Sequence, residues 1–246
     1  MFKRASVFVL ALVGLCAASG TAVAQSNVKI TKSKFVYNGK AYFRGGSENV
    51  VLGAYGEKKT PVGRPNYLAV EDEIGQGILA GDVKISGPYT VDWKKHSKGE
   101  VNAGIKYLTV AGGTAGFSWD AAHSANLQLV KFWVNEGPLK TILNTKAGKA
   151  REALKKEGGD GRVVSEVWVA MEANLASDVT NCASGSVQGS AKGFTVTLSG
   201  KNCTTKTGSV TIPSNTTFAY LMHKVKKWNK GKTQVDNLED DNVGAN

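Results

Sequence analysis

The longest regular alternation of apolar and polar side chains lies in residues 163–176. Its odd-numbered positions, from Val163 to Leu175, are mostly apolar, whereas the even-numbered ones include Glu166 and Glu172. A period of two predicts a half-buried strand, because successive side chains of a strand point to opposite faces. We expect this strand to organise the fold and to lead into a segment closed by a disulfide.

Shorter alternating or apolar runs predict further strands. These runs are residues 82–94, 101–110, 117–119, 127–134, 194–198, 209–212 and 218–227. The first two are expected to form an antiparallel hairpin, and 127–134 is apolar enough for a strand buried on both faces. The last run also fits helical spacing, but its alternation favours a strand.

A tight hairpin is predicted for residues 34–44. Asn38 and Gly39 supply the two positive-φ positions that a type I′ turn requires, and aromatic residues flank them on both sides. The next stretch, 45–81, is punctuated by glycine and proline, so we expect mostly loop there. Within it, the acidic and apolar residues of 67–74 suggest a short helix.

One amphipathic helix is predicted at about 138–156, with Pro138 in the first helical position. The helix can link its flanking strands as a β-α-β unit or as an antiparallel return, and the sequence leaves both open. The expected fold class is therefore α+β and β-rich: mainly an antiparallel sheet or sandwich, with one helix and a disulfide-closed C-terminal β segment. We expect a single globular domain over 25–228. Residues 229–246 have little apolar mass and are expected to form a disordered tail.

The first 24 residues have the pattern of a secretory signal peptide. Lys3 and Arg4 precede a mostly apolar run, and Ala22 to Ala24 form an A-x-A cleavage signature. The apolar run is too short to span a bilayer comfortably, and no other segment approaches the necessary length, so no transmembrane segment is expected in the mature chain. Lipid attachment at Cys16 is an alternative, although Leu15 before it is larger than that reaction favours. The sequence thus predicts a periplasmic or secreted protein.

Cys182 and Cys203 are the only cysteines that follow the leader, so they are the predicted disulfide pair. A disulfide fits an oxidising compartment. Two cysteines and three scattered histidines do not match the spacing of a zinc site, and no metal or other cofactor is predicted.

The chain is basic, with 31 Lys and Arg residues against 20 Asp and Glu, a formal charge of +11. Removing the leader, which carries Lys3 and Arg4 and no acid, leaves 29 bases against 20 acids, or +9. An exported basic protein has several anionic partners available, including lipid headgroups, polysaccharides and other polymers. The alternative is that the charge serves only solubility.

The sharpest local feature is a cluster of lysines around one tryptophan in residues 223–232. Its members are Lys224, Lys226, Lys227, Trp228, Lys230 and Lys232. Lysines neutralise phosphate or sulfate groups, and a tryptophan can stack on a base or a sugar, so these residues are the candidate anion-binding site. A solvated strand end would have the same composition, and the acidic residues 239–241 could fold back and partly neutralise the cluster. The basic face of the 138–156 helix is a second candidate, but an ordinary exposed helix face explains it as well.

No catalytic residue is assigned. Asp120, His123 and Ser124 are the residue types of a hydrolase triad, but triads usually draw on separate loops, and no nucleophile-elbow motif accompanies them. Four acids of the glycine-rich stretch could in principle supply a glycosidase pair, but surface acids are the simpler explanation. These acids are Glu48, Glu57, Glu71 and Glu73. Gly45 and Gly46 lack the lysine and hydroxyl residue that complete a phosphate-binding loop.

The first functional hypothesis is an exported, non-enzymatic binding protein that recognises an anionic surface or polymer through its lysine cluster. The second is a membrane-active, pore-forming protein, since the chain is rich in long alternating strands joined by polar loops. The third is a hydrolase with an unrecognised site.

Overall fold

The computed structural model describes residues 28–190, 193–199, 203 and 208–241, with only the backbone of 184–187 and 189–190. The predicted leader, 1–24, therefore lies outside the described residues. The strands are β1 (Val28–Ile30), β2 (Lys34–Tyr37), β3 (Lys40–Phe43), β4 (Ala54–Lys59), β5 (Tyr67–Glu73), β6 (Val83–Ile85), β7 (Tyr89–Thr90), β8 (Lys106–Leu108), β9 (Thr114–Gly116), β10 (Leu127–Val134), β11 (Gly161–Glu172), β12 (Ala183–Ser190), β13 (Gly193–Leu198), β14 (Ser209–Pro213), β15 (Thr217–Trp228) and β16 (Val235–Asp241). The helices are α1 (Gln76–Leu79), α2 (Lys98–Val101), α3 (Trp119–Ser124), α4 (Glu136–Thr145), α5 (Gly148–Glu157) and α6 (Ala173–Cys182).

Strand β11 is the centre of a curled, mainly antiparallel sheet. It pairs antiparallel with β15 on one side and with β10 on the other, and β4 continues the β10 side at its start. The main path of the sheet runs β1-β2-β3-β15-β11-β10-β6. Because β10 and β11 are direct antiparallel neighbours, the helical connection between them is an antiparallel return, which decides the question left open by the sequence.

Two hydrophobic cores lie against this sheet. One packs α4, α5, α6 and the sheet β12–β14 against residues such as Val163 and Val167. The other is aromatic and surrounds Trp168, which is 1% exposed and contacts the rings of Phe35, Tyr37 and Tyr42. Every residue of β11 except Glu172 is consequently buried, although the alternation suggested a strand buried on one face.

The hairpin at residues 34–44 is confirmed. Strands β2 and β3 pair antiparallel, and Asn38 and Gly39 have φ angles of 50° and 79°. These are the left-handed values that a type I′ turn needs. The predicted strands at 127–134, 194–198, 209–212 and 218–227 are also present, as β10, β13, β14 and β15.

The stretch 45–81 is not mostly loop, and 67–74 is not a helix. Strands β4 and β5 form an antiparallel hairpin there. A Cβ atom on Gly56 would lie 2.1 Å from the carbonyl oxygen of Ala69, so this glycine permits a close approach of two strands. Some of the glycines that predicted a loop therefore allow strands to pack closely instead.

The long strands predicted at 82–94 and 101–110 are also wrong. Only β6, β7 and β8 are extended there, and β8 pairs with β9 instead of with a strand from 82–94. Helix α2 intervenes because Ser97 and Glu100 form a capping box. Residues 117–119 do not resume a strand either, since Ser118 accepts a hydrogen bond from the Ala121 N–H and caps α3.

The single helix predicted at about 138–156 is two helices, α4 and α5, and further helices occur elsewhere. Arg151 donates from Nη1 to the carbonyl oxygen of Asn144 at 3.0 Å, which satisfies the end of α4 where the chain turns. The strand predicted to reach residue 176 ends at Glu172, and α6 follows. Leu175 and Val179 are four residues apart and both buried, so this segment buries its apolar side chains as a helix.

The disulfide-closed C-terminal segment forms a separate antiparallel sheet, β12–β13–β14. Cys182, at the end of α6, is bonded to Cys203, with the two Cα atoms 5.7 Å apart. The sheet packs on the first core, where the rings of Phe132 and Phe194 are 4.9 Å apart. The predicted bridge is thus present, and it ties the small sheet to the helix beside β11.

Removing this bridge by the double change Cys182→Ser and Cys203→Ser is expected to lower the free energy of unfolding by about 3 kcal/mol. The reason is that the bridge closes a loop of sequence separation 21 and so restricts the unfolded chain. Chemical denaturation of the wild type, with and without reductant, should show the same loss. An unchanged unfolding midpoint on reduction would contradict the prediction.

Within the predicted disordered tail, 229–246, Val235–Asp241 forms β16 along the outer half of β15, and residues 242–246 lie outside the described residues. Val235 and Leu238 are each 2% exposed and join the first core. Composition indicated disorder because most of the other residues in this segment are polar.

Candidate anion-binding sites

The predicted lysine cluster occupies the outer end of β15 and the turn that leads into β16. Lys226, Lys227, Lys230 and Lys232 are exposed there, whereas Lys224 is partly covered. Trp228 is partly buried against the first core, so only part of its ring is open to a ligand. We call this end of the hairpin, residues 224–236, the basic tip.

Carboxylates of β16 partly neutralise the basic tip, as the sequence suggested for the acids that follow it. Glu239 lies 3.4 Å from the Nζ of Lys224 and 3.7 Å from that of Lys226, and Asp236 lies 3.7 Å from Lys227. Lys230 and Lys232, in contrast, make no ion pair with any described residue. The cluster therefore carries five lysines against Asp236 and Glu239, with its uncompensated charge at the turn.

Asp241 holds the far end of β16 inside the protein. It accepts hydrogen bonds from Lys58 Nζ at 2.8 and 3.0 Å and from Arg162 Nε at 2.5 Å, and all three side chains are buried. Burial by itself would raise the pKa of Asp241, but the hydrogen bonds and charges of Lys58 and Arg162 outweigh it and lower the pKa below its usual value.

Asp240, the neighbouring acid, belongs to a second cluster of polar side chains. Lys40 bridges Asp240 and Glu166 at 2.8 and 2.7 Å, and Lys131 lies 3.3 Å from Glu166. Tyr42 donates a hydrogen bond to Glu166, and burial together with the charge of Glu166 raises the pKa of Tyr42. Glu166 is buried on β11, so its charge is balanced by these lysines rather than by solvent.

The second cluster also contains a chain of serine, histidine and aspartate that the sequence did not reveal. The Nδ1 of His223 is 2.7 Å from the hydroxyl of Ser165, and its Nε2 is 3.0 Å from Asp240. Burial lowers the pKa of His223 although the charge of Asp240 opposes it. Ser165 is fully buried, so its hydroxyl is not accessible to a substrate as a nucleophile would need to be. These contacts therefore link β11, β15 and β16.

The structure does not bring Asp120, His123 and Ser124 together as a triad. They lie on one helix, α3, where His123 Nδ1 is 2.8 Å from the carbonyl oxygen of Trp119 and Asp120 pairs with Lys98. The Ser124 hydroxyl donates to the carbonyl of Ala121. Asp120 and Ser124 are thus engaged away from His123, whose Nε2 is buried and has no hydrogen-bond partner among the described residues.

The four acids considered for glycoside hydrolysis are also distributed. Glu57 pairs with Lys59 on β4, and Glu48 lines a different cavity from Glu71. Glu71 lies in a cleft of about 740 Å³ between β5 and α5, whose wall carries both acids and lysines. The charges of that wall therefore favour neither anions nor cations.

A further cavity, of about 320 Å³, is bounded by Arg44 and by four loops. Its lining residues are Lys32, Arg44, Gly45, Gly46, Glu48, Arg64, Pro65, Tyr67, Asn102 and Ala103. Three bases and one acid face it, so it is positively charged. We call it the Arg44 cavity.

Arg44 is 3% exposed, and its charge meets no carboxylate among the described residues. Nη1 donates to the carbonyl oxygens of Thr31 and Glu100, Nη2 donates to that of Val101 at 2.8 Å, and the guanidinium lies over the Phe218 ring. Nε has no hydrogen-bond partner among the described residues. Burial lowers the pKa of Arg44 to about 10, so the group remains a cation at neutral pH.

Sequence reasoning missed the Arg44 cavity. The one available signal was an arginine placed directly before the Gly45-Gly46 pair, at the end of the confirmed hairpin. Lys32 and Arg64 gave no signal, because they reach the cavity from two separate loops.

In the part of the chain that the structure describes, no set of three or more histidine, cysteine, aspartate or glutamate side chains is placed to bind a metal. None of the helices there combines the length and apolar character needed to cross a bilayer. Comparison with protein-family models, with curated proteins and with solved structures found no match for this chain.

Proposed function

We propose that this protein is an exported binding protein that attaches to a polyanion, such as an anionic lipid surface or polysaccharide, through its basic tip. The observation that carries the proposal is the exposed pair Lys230 and Lys232, which make no ion pair within the described residues and lie near Lys226 and Lys227 at the turn end of the β15–β16 hairpin. The disulfide Cys182–Cys203 supports an oxidising compartment.

The ion pairs at the basic tip indicate which lysines contribute most to the affinity for an external anion. Lys224 and Lys226 share Glu239, so binding an external anion there competes with an existing contact. Lys230 and Lys232 have no such contact to lose. The affinity should therefore depend most on the turn, and it should fall with salt because exposed charges are screened.

Changing Lys230→Gln and Lys232→Gln together is expected to weaken binding to vesicles of phosphatidylglycerol and phosphatidylcholine about 30-fold. A lysine near an anionic surface contributes about 1 kcal/mol, and two give about 2 kcal/mol. Co-sedimentation at low salt measures the effect. Lys224→Gln with Lys226→Gln should cost less, since both lysines are already engaged with Glu239 and contribute less to binding an external anion.

The control variant carries Lys94→Gln and Lys106→Gln, which removes two exposed lysines outside the tip. It should bind as the wild type does. Equal weakening in the two variants would show that only net charge matters. Protein that stays on the vesicles through a high-salt wash has inserted and contradicts an electrostatic mode. If the protein binds neither the vesicles nor a sulfated polysaccharide, the proposal is refuted.

A further inference from the structure

The Arg44 cavity lies apart from the basic tip and is built from different elements. Arg44 follows β3, Lys32 lies between β1 and β2, and Arg64 lies in the turn between β4 and β5. Its volume of about 320 Å³ is within the range of small-ligand sites.

Buried charged side chains are normally paired, and Arg44 is an exception. Its hydrogen bonds go to neutral carbonyl groups, so they satisfy donors without balancing the charge. The unpartnered Nε leaves one buried N–H without an acceptor, which is itself unfavourable. A negatively charged oxygen in the cavity that Arg44 lines would supply the missing counter-charge.

The cavity wall is held in a fixed shape next to Arg44. Gly46 has a φ of 66°, and a Cβ atom on Gly45 would lie 2.5 Å from the carbonyl oxygen of Asn66, so neither position suits a larger residue. Tyr220 donates from its hydroxyl to the carbonyl of Gly45 and accepts from the N–H of Leu68. The glycine pair is thus tied to β5, and the cavity exists without rearrangement.

Charges at the rim complete the site. Lys32 and Arg64 are exposed, and neither makes an ion pair with a described residue. Glu48 is the one acid on the wall, so two positive charges remain in excess. Tyr67 and Ala103 offer apolar surface beside these charges. Arginine and lysine side chains are the usual protein groups that bind carboxylate and phosphate. At Arg44 the donor without a partner among the described residues is Nε, because Nη1 and Nη2 already donate to backbone carbonyls.

We propose that the Arg44 cavity binds a small ligand through one oxyanion group, held by Arg44 together with Lys32 and Arg64. The group is a carboxylate or a phosphate, and the half-buried Tyr67 contacts the remainder of the ligand. This site is independent of the basic tip, and its ligand is a small molecule rather than a polymer.

The test follows the backbone amide signals of the ¹⁵N-labelled protein by NMR during titration with sodium phosphate or sodium benzoate at constant ionic strength. Saturable shifts are expected at Gly45, Gly46 and Asn102. Shifts with phosphate but not with benzoate would identify a phosphate ligand. Tighter binding of benzoate would identify an aromatic carboxylate. Lys32→Gln with Arg64→Gln should raise the dissociation constant about tenfold, which corresponds to about 1.4 kcal/mol.

The matched control is Lys230→Gln with Lys232→Gln, which removes the same charge from the basic tip and should leave the titration unchanged. Arg44→Lys should abolish the shifts, and the rim variant keeps the proposal testable if that change prevents folding. Shifts that do not saturate, that centre on residues 224–236, or that weaken equally in both variants would overturn the proposal. Because each variant spares the other site, the two proposals can fail separately.

Discussion

Replacing Asp241 by asparagine is expected to lower the free energy of unfolding by about 3–5 kcal/mol, because it removes the carboxylate charge that two buried cations contact. Lys58 and Arg162 both contact Asp241, and all three side chains are at most 9% exposed. Such a loss is a large share of the 5–15 kcal/mol that stabilises a typical domain. Urea denaturation of the two proteins at pH 7 measures it.

The control for this change is Asp236→Asn, on the same strand. Asp236 is exposed and lies 3.7 Å from Lys227, and a surface pair of this kind contributes at most about 1 kcal/mol. Similar losses for Asp236→Asn and Asp241→Asn would show that β16 is not held by the buried cluster.

The contribution of Asp241 should also depend on pH with a defined sign. Its pKa in the folded protein is below the usual value of 3.8, so the unfolded chain binds the proton more readily. The stabilisation is therefore complete above about pH 5 and is lost as the pH falls through the lowered pKa. The difference between wild type and Asp241→Asn should accordingly shrink below about pH 4.

The second large effect is expected for Trp168→Ala, which should cost about 3–5 kcal/mol of unfolding free energy. Trp168 is 1% exposed, and three aromatic rings lie with their centroids 4.9–5.8 Å from its own. Removing it leaves a cavity in the aromatic core that the surrounding strands cannot fill. Thermal or chemical unfolding measures the loss.

A matched control is Trp133→Ala, on the neighbouring strand β10. Trp133 is only partly buried, and its Nε1 donates to Asn135, which is accessible to water. Its replacement should cost about 1 kcal/mol. Equal costs at both positions would show that burial in the aromatic core adds nothing to the contribution of a partly buried tryptophan.

Part of the fold was predictable from local sequence. The Asn38-Gly39 turn requires positive φ angles that few residues adopt, so it specified its hairpin. Strands β10 and β15 have apolar content that fits a sheet interior, and Cys182 had one possible partner. In each case a few neighbouring residues or simple elimination determined the result.

Other elements were decided by contacts between distant residues. Gly56 indicated a loop from sequence alone, but it allows β5 to approach β4. Residues 173–176 continue the alternation of β11, yet they form the start of α6 because Leu175 and Val179 pack together on the first core. Local patterns could not distinguish these outcomes, because the pattern of small and apolar residues fits both.

The candidate sites divide in the same way. The sequence by itself determined that the lysines around Trp228 lie together, because they are neighbours in the chain. Only the tertiary structure decided which of them are paired with Asp236 and Glu239, since those acids return on β16. The tertiary structure also assembled Arg44, Lys32 and Arg64 around one cavity, and a separation of up to 32 positions along the chain leaves no periodic signal to predict that. Charge is a property of composition, whereas its compensation depends on which distant side chains the fold brings within hydrogen-bonding distance.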